Sequence, residues 1–275
     1  MKFAICNEMF EGWSWESICD TARDLGYSGI EVAPFTLAAR AELISATQRN
    51  RIRASADRRG LQIIGLHWLL VGPPSLYVTH PDAAIRRDTS AYFRELIDLC
   101  ADLGGHVMVV GSPRQRDLLP GVTFSQAMTF AEEVFKACLD QAARREVVLA
   151  LEPLGHKETT FLQTAAEAVE LIERIGHPSF RLNLDVKAMA DESTPIPEII
   201  RAAAPYVAHV QVNDPNLQGP GMGTLDYTPI IAALREIGYD GWLSVEAFDF
   251  KLGAEAIGRA SIDYLRRVTA KRDGA

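Results

Sequence analysis

Long apolar runs are missing from this sequence. None approaches the ~18 residues a membrane span requires, so a membrane partner is not expected. The opening Met1-Lys2-Phe3-Ala4-Ile5-Cys6-Asn7-Glu8 has no extended apolar stretch and meets an acid at once. No signal peptide is read there, and the expected location is cytoplasmic. Cysteine is scarce and scattered. Cys6, Cys19, Cys100 and Cys138 form no CxxC pair, which excludes a disulfide scaffold and leaves reduced, buried thiols as the expectation. Positive charge is short as well. Lys and Arg number 28 against 36 Asp and Glu, a formal net charge of −8. A nucleic-acid partner would need a basic face, and none is expected. No GxGxxG follows the first strand candidate, which argues against a dinucleotide fold. No linker, charge block or low-complexity stretch divides the chain, so residues 1–275 are read as one domain.

What is present fits a large core: 48% hydrophobic and 23% charged residues over 275 positions. α/β barrels commonly run to roughly 250 residues as one domain. One local phrase recurs: an amphipathic run, a glycine, then a short β-rich run. Leu25-Gly26-Tyr27 precedes Ser28–Val32, Arg59-Gly60 precedes Leu61–His67, and Leu103-Gly104-Gly105 precedes His106–Gly111. Ile175-Gly176-His177 precedes Phe180–Asp185, and Ile237-Gly238-Tyr239 precedes Gly241–Glu246. A glycine there can take the left-handed conformation that ends a helix, and the next run reads as a strand. Lys2–Asn7, Val147–Glu152 and Tyr206–Val212 bring the strand candidates to eight. Helical patterns at 81–103, 124–145, 164–175 and 229–237 lie between them. Thr123 and Thr228 are candidate N-caps, with Pro229 as a first helical residue. Alternating βα units in this number predict an α/β fold, a single (β/α)8 TIM barrel.

In such a barrel the strand C-termini carry the chemistry. Three neighbouring strands end in acids: Leu151-Glu152, Leu184-Asp185 and Val245-Glu246. Strand seven carries His209, Gln211 and Asn213 on one face by its period of two. One buried acid could be met by a helix cap or an arginine. Three at one level repel unless a cation lies between them. Oxygen donors suit Mg²⁺ or Mn²⁺, with Co²⁺ and Zn²⁺ as alternatives.

The segments Leu151-Glu152-Pro153, Leu184–Met189, His209–Asp214, Gly219–Gly223 and Ser244-Val245-Glu246 resemble the xylose isomerase-like TIM barrels. Within them they are similar to the sugar isomerase and epimerase branch: hydroxypyruvate isomerase, inosose isomerase and the D-tagatose 3-epimerase group. The resemblance implies one divalent metal ion on Glu152, Asp185, Gln211 and Glu246. Ketose 3-epimerases usually carry His at the Gln211 position, and hydroxypyruvate isomerase-like members carry Gln. Glu158 matches a substrate-contacting Glu, and His156 follows the inosose isomerase pattern. Two positions depart from the epimerase pattern: Ala188 stands for a sugar-binding His and Leu217 for an Arg.

Other candidates come from position. Lys187, two residues past Asp185, is either an inward substrate ligand or a loop lysine paired with an acid. His209 is an inward neighbour of the site or a core histidine. Glu31 alternates with apolar residues and would face the mouth. His67 and Trp68 end strand three, where the indole would stack on a sugar or wall the core. Arg116 is read either as a surface-loop residue or as an anion ligand. Trp13 and Trp15 would form a lid, and Gly219–Gly223 a mobile closing turn.

The expected activity is divalent-metal-dependent sugar isomerisation or epimerisation. Glu152 and Glu246 would pass a proton to and from the carbon beside a carbonyl, through a metal-bound enediolate. The expected partner is a small sugar or polyol. The alternatives are a metal-dependent lyase or dehydratase acting on a keto-polyol or 3-keto sugar, and a non-catalytic sugar-binding barrel. A multi-zinc nuclease is disfavoured by six histidines and the acidic charge. The resemblance also admits a homo-oligomer, although no interface is legible in the sequence.

Overall fold

A computed structural model describes residues 1–73 and 75–270. The tail of the expected 1–275 span, residues 271–275, lies outside them. The strands are β1 (Lys2–Cys6), β2 (Gly29–Val32), β3 (Gln62–Leu66), β4 (Val107–Val110), β5 (Val148–Leu151), β6 (Phe180–Asp185), β7 (Val207–Val212) and β8 (Trp242–Val245). They hydrogen-bond in chain order, and β8 closes on β1. Every pairing is parallel. This is the (β/α)8 barrel expected from the sequence. Both faces of such a sheet are covered, which is why β4 reads Val-Met-Val-Val with every residue buried.

The helices are α1 (Trp15–Leu25), α2 (Ala46–Asp57), α3 (Ala83–Leu103), α4 (Phe124–Arg144), α5 (Ala165–Ile175), α6 (Val186–Met189), α7 (Ile196–Ala203), α8 (Thr228–Glu236) and α9 (Ala254–Ala270). The recurring glycine phrase has the physical basis proposed for it. Gly26 and Gly104 cap α1 and α3 with φ of 94° and 88°, and their amides return to the last turn of each helix. Gly60, Gly176 and Gly238 also stand at positive φ. Thr123 caps α4 through a capping box with Gln126. Thr228 does not cap α8. It is the first helical residue, Pro229 follows it, and Asp226 Oδ1 accepts from the Thr228 amide (2.9 Å). An Asp two residues upstream competes successfully with a Thr whose own backbone is already helical.

Between barrel and helices lies one continuous apolar core. Phe93, Phe135 and Phe180 form a ladder in it, with ring centroids 5.5 and 4.8 Å apart. All four cysteines are free and buried, Cys19, Cys100 and Cys138 within helices. Burial pushes their thiols upward, the Cys19 and Cys138 thiols to about 12, which keeps them unreactive. Inside the barrel the upper filling is polar. Glu31, His67, Asn183, His209, Gln211 and Ser244 are all buried. Among the described residues no helix is long and apolar enough to cross a membrane.

Candidate active site

The three acids predicted from the strand ends converge. One carboxylate oxygen each from Glu152, Asp185 and Glu246 lies within 4.8 Å of the others, and all three residues are buried. Glu152 and Glu246 stand one residue beyond β5 and β8, and Asp185 is the last residue of β6. Asp185 is fixed twice: Oδ1 accepts from the Ala188 amide of α6 (2.8 Å) and Oδ2 from Asn213 Nδ2 (2.6 Å). Glu246 Oε1 accepts from Trp68 Nε1 (2.8 Å). The Glu152 carboxylate occupies the space a side chain at Gly111 would need, and a Cβ there would overlap Oε2. Among the described residues no guanidinium pairs with the trio, since the nearby Arg116 donates to the backbone carbonyl of Glu152 (2.6 Å).

Crowding raises the proton affinity of the trio. Burial first, and the Asp185 charge second, push the Glu152 carboxyl well above its ordinary value. Burial, then Glu152 and Glu8, do the same to Glu246. Burial also raises Asp185, against the opposing charge of Lys187. Hard oxygen donors that repel one another are the donor set a divalent cation such as Mg²⁺ or Mn²⁺ relieves, so the residues fit the metal expected from the sequence.

Gln211, the fourth expected ligand, pairs with Asp185 in register but spends its amide lower in the barrel. Its Oε1 accepts from Asn183 Nδ2 (2.7 Å), and its Nε2 donates to Glu31 Oε1 (3.2 Å). Presenting Oε1 to a cation requires that amide to change partners. His209 lies in the same supporting layer, its Nε2 2.9 Å from Glu31 Oε2. Glu31 is therefore a support under the site, away from the mouth where it was expected. Burial opposes its charge, but the two histidines and Ser244 outweigh it and hold its carboxyl at about 2.

Above the trio opens a cavity of about 420 Å³. His67, Trp68, Glu152, Glu158 and Glu246 line it, as do Arg114 and Phe248. Lys187 reaches over the Phe248 ring (4.7 Å) to donate to Glu158 Oε2 (2.6 Å). Burial works against its charge, yet Asp185, Glu158 and Glu152 raise its pKa above the ordinary lysine value. Both readings of Lys187 therefore meet in one side chain, paired with an acid and set beside the trio. His67 Nε2 lies 2.7 Å from Glu8 Oε2.

Several expectations are corrected. Arg116 is 3% exposed and lines a small pocket behind β5 with Phe135 and Leu151, so it is neither on a surface loop nor at the mouth. Its neighbour Arg114 faces the cavity instead. His156 is exposed, its amide bound to Asp191 Oδ2 (2.7 Å), outside the cavity. Trp15 is no lid. It opens α1 and ties it to α2 through Nε1 to the Ile52 carbonyl (3.0 Å). The Gly219–Gly223 turn is pinned, with the Gly223 amide on Asp214 Oδ2 (3.1 Å) and Gly221 against the Tyr264 ring. Glu8 was missed as a site residue. It comes two residues after β1, where Glu152 comes one after β5, and that near-parallel was the available signal.

A family model described as the xylose isomerase-like TIM barrel matches residues 19–268, and the chain belongs to this family. Its named relatives are in the sugar isomerase and epimerase branch. The D-psicose 3-epimerase of Ruminiclostridium cellulolyticum is 26% identical over 227 residues, covering 82% of this chain and 75% of that protein. The D-psicose 3-epimerase of Agrobacterium fabrum is 28% identical over 227 residues, 82% of this chain and 76% of its own. The D-psicose 3-epimerase of Clostridium cellulolyticum H10, solved with D-tagatose, superimposes with a TM-score of 0.87 at 23% identity, covering 98% and 99% of the two chains. The 3-keto-D-glucoside 4-epimerase of E. coli gives 0.83 at 20% identity over 97% and 99%. At these identities the two superpositions show the shared fold.

Proposed function

We propose that the protein is a divalent-metal-dependent sugar isomerase or epimerase. The carrying observation is the buried trio of Glu152, Asp185 and Glu246, two of which, Glu152 and Glu246, line a cavity large enough for a small ligand. The relatives named as ketose 3-epimerases support the same reaction class. Glu152, Asp185 and Glu246 would hold the metal, and Gln211 would join them after releasing Asn183. A divalent cation there supplies Lewis-acid stabilisation of the charge that builds as a proton leaves the carbon beside a carbonyl.

The protein's own part is proton transfer and orientation. Glu152 and Glu246 follow strands three apart in the ring, β5 and β8, and would flank a substrate held between them. One removes the proton from the carbon, and the other returns one. Return to the same carbon from the other face inverts it. Return to the neighbouring carbon exchanges aldose and ketose. Trp68 Nε1 orients Glu246. Lys187 and Glu158 sit where substrate hydroxyls would reach them, and they would do the work of the epimerase His and Arg whose positions hold Ala188 and Leu217 here. His67, beside Glu8, lines the same wall.

The test is solvent exchange. With Mn²⁺ or Mg²⁺ in D₂O, a keto sugar should gain deuterium at the carbon beside its carbonyl, and chelation should stop it. Glu246→Gln should lower turnover by about 10²-fold or more with the fold intact. Near-normal exchange in that variant refutes its role.

A further inference from the structure

We propose that a second sugar-ring subsite lies beyond Trp68, so that the preferred substrate is a keto sugar bearing a second ring through a glycosidic bond. This deepens the proposed function and rests on it for the ring at the metal floor. The mouth contains a second cavity of about 420 Å³, and Trp68 lines both. Trp68 is a built partition. Its φ of 52° is uncommon for a bulky residue. It is held there by Glu246, by Phe248 stacked at 6.4 Å, and by Phe35 at 5.9 Å.

The far cavity has the chemistry of a pyranose site. Trp13 and Phe35, at 41% and 37% exposure, are the only aromatics among the exposed large apolar side chains of the described residues, and both line it. Exposed aromatic faces are offset against solvent by the C–H face of a sugar ring. Glu8 and Glu11 line the same space. Glu8 is 6% exposed, with Oε2 against His67 and Oε1 buried without a partner among the described residues. A carboxylate accepts a sugar hydroxyl in a short charge-assisted bond, and Glu11 offers one on the open side of this space. The two acids oppose a phosphate or an acidic group, and they disfavour an apolar tail. A free monosaccharide at the metal floor leaves this second space unused. A ring linked past Trp68 uses it.

The test is calorimetric titration of the full chain in Mn²⁺ with D-fructose, and with isomaltulose, turanose and lactulose, in which fructose carries a second ring. At least one disaccharide should bind about tenfold more tightly than fructose. Trp13→Ala should remove that advantage and leave fructose affinity unchanged. The Trp13 ring is part exposed and meets Phe10 edge-on, so the variant keeps the fold. The proposal is overturned if no disaccharide binds more tightly than fructose, or if the advantage survives in Trp13→Ala. Deuterium exchange on the same sugars reports separately. A binding advantage without exchange on any sugar leaves the subsite standing and removes the proposed chemistry.

Discussion

Glu152→Gln should stabilise the metal-free protein and forfeit most of the stabilisation that metal gives the wild type. In the metal-free protein three carboxylates share a space in which their oxygens lie within 4.8 Å. At an effective dielectric of about 20, one charged pair at that separation costs roughly 3 kcal/mol. The protein can escape part of this by taking up a proton, which for an ordinary Glu at pH 7 costs about 4 kcal/mol. The penalty is therefore capped near that value, and water entering the open mouth lowers it further. Among the described residues the Glu152 carboxylate has no side-chain partner that the amide would forfeit, and the isosteric swap fits the space beside Gly111. We expect Glu152→Gln to stabilise the metal-free protein by about 1–3 kcal/mol, a rise in Tm of roughly 2–6 °C. With Mn²⁺ at about 100 times its Kd, the wild type should gain about 2.7 kcal/mol, and the variant should gain little. Scanning calorimetry in EDTA and in Mn²⁺ reads both shifts. A variant that melts lower in EDTA, yet responds to Mn²⁺ as the wild type does, refutes the reasoning.

Gly111→Ala should displace the Glu152 carboxylate and lower metal affinity by at least about tenfold while the barrel persists, measured by Mn²⁺ titration, because its Cβ would overlap Oε2. Glu31, held at about 2 in the folded protein against an ordinary value near ~4.3, contributes stability that is complete above pH ~4.3 and lost as pH falls toward 2. That contribution is roughly 3 kcal/mol, and Glu31→Gln should flatten the acid limb of a Tm-against-pH curve. The trio acts with the other sign: its folded values are raised, so the metal-free protein should gain stability as pH drops toward the ordinary carboxylate range, and saturating Mn²⁺ should abolish that gain. Lys187→Met should raise KM by about tenfold and leave Mn²⁺ affinity nearly unchanged if Lys187 and Glu158 hold substrate; an unaltered KM would show a structural pair.

The barrel was legible because its punctuation is chemical. Leu-Gly, Ile-Gly and Arg-Gly steps mark helix ends through the left-handed backbone that glycine tolerates, and the β-rich runs after them became β2, β3, β4, β6 and β8. The acids were legible for a related reason. A charged residue closing an apolar strand has few places to go except the mouth. What was not legible was depth. Period two places Gln211, His209 and Glu31 inside the barrel, but it does not say at which layer. Register decides that: Gln211 lies level with Asp185 and Ser244, and Glu246 stands two residues further toward the mouth than Ser244. Arg116 and Arg114 show the same gap for a loop. Two residues apart in one segment, one is buried behind β5 and the other faces the cavity. Only the path of the loop separates them.

The layer under the trio follows from this stacking. Glu31 keeps its charge by binding His209 and Gln211, and that holds the Gln211 Nε2 downward. Asn183 holds the Gln211 oxygen at the same level. The amide is thus restrained at both ends. A cation that recruits Gln211 must break the Asn183 contact, and it leaves the Asn183 amide to find another acceptor in a buried space where its own Oδ1 has no partner among the described residues. Asn183→Ala removes that competition. It should strengthen Mn²⁺ binding if Gln211 is a ligand, and leave it unchanged if Glu152, Asp185 and Glu246 hold the metal alone. A measured affinity unchanged within about twofold would therefore remove Gln211 from the ligand set and leave the carboxylate trio intact.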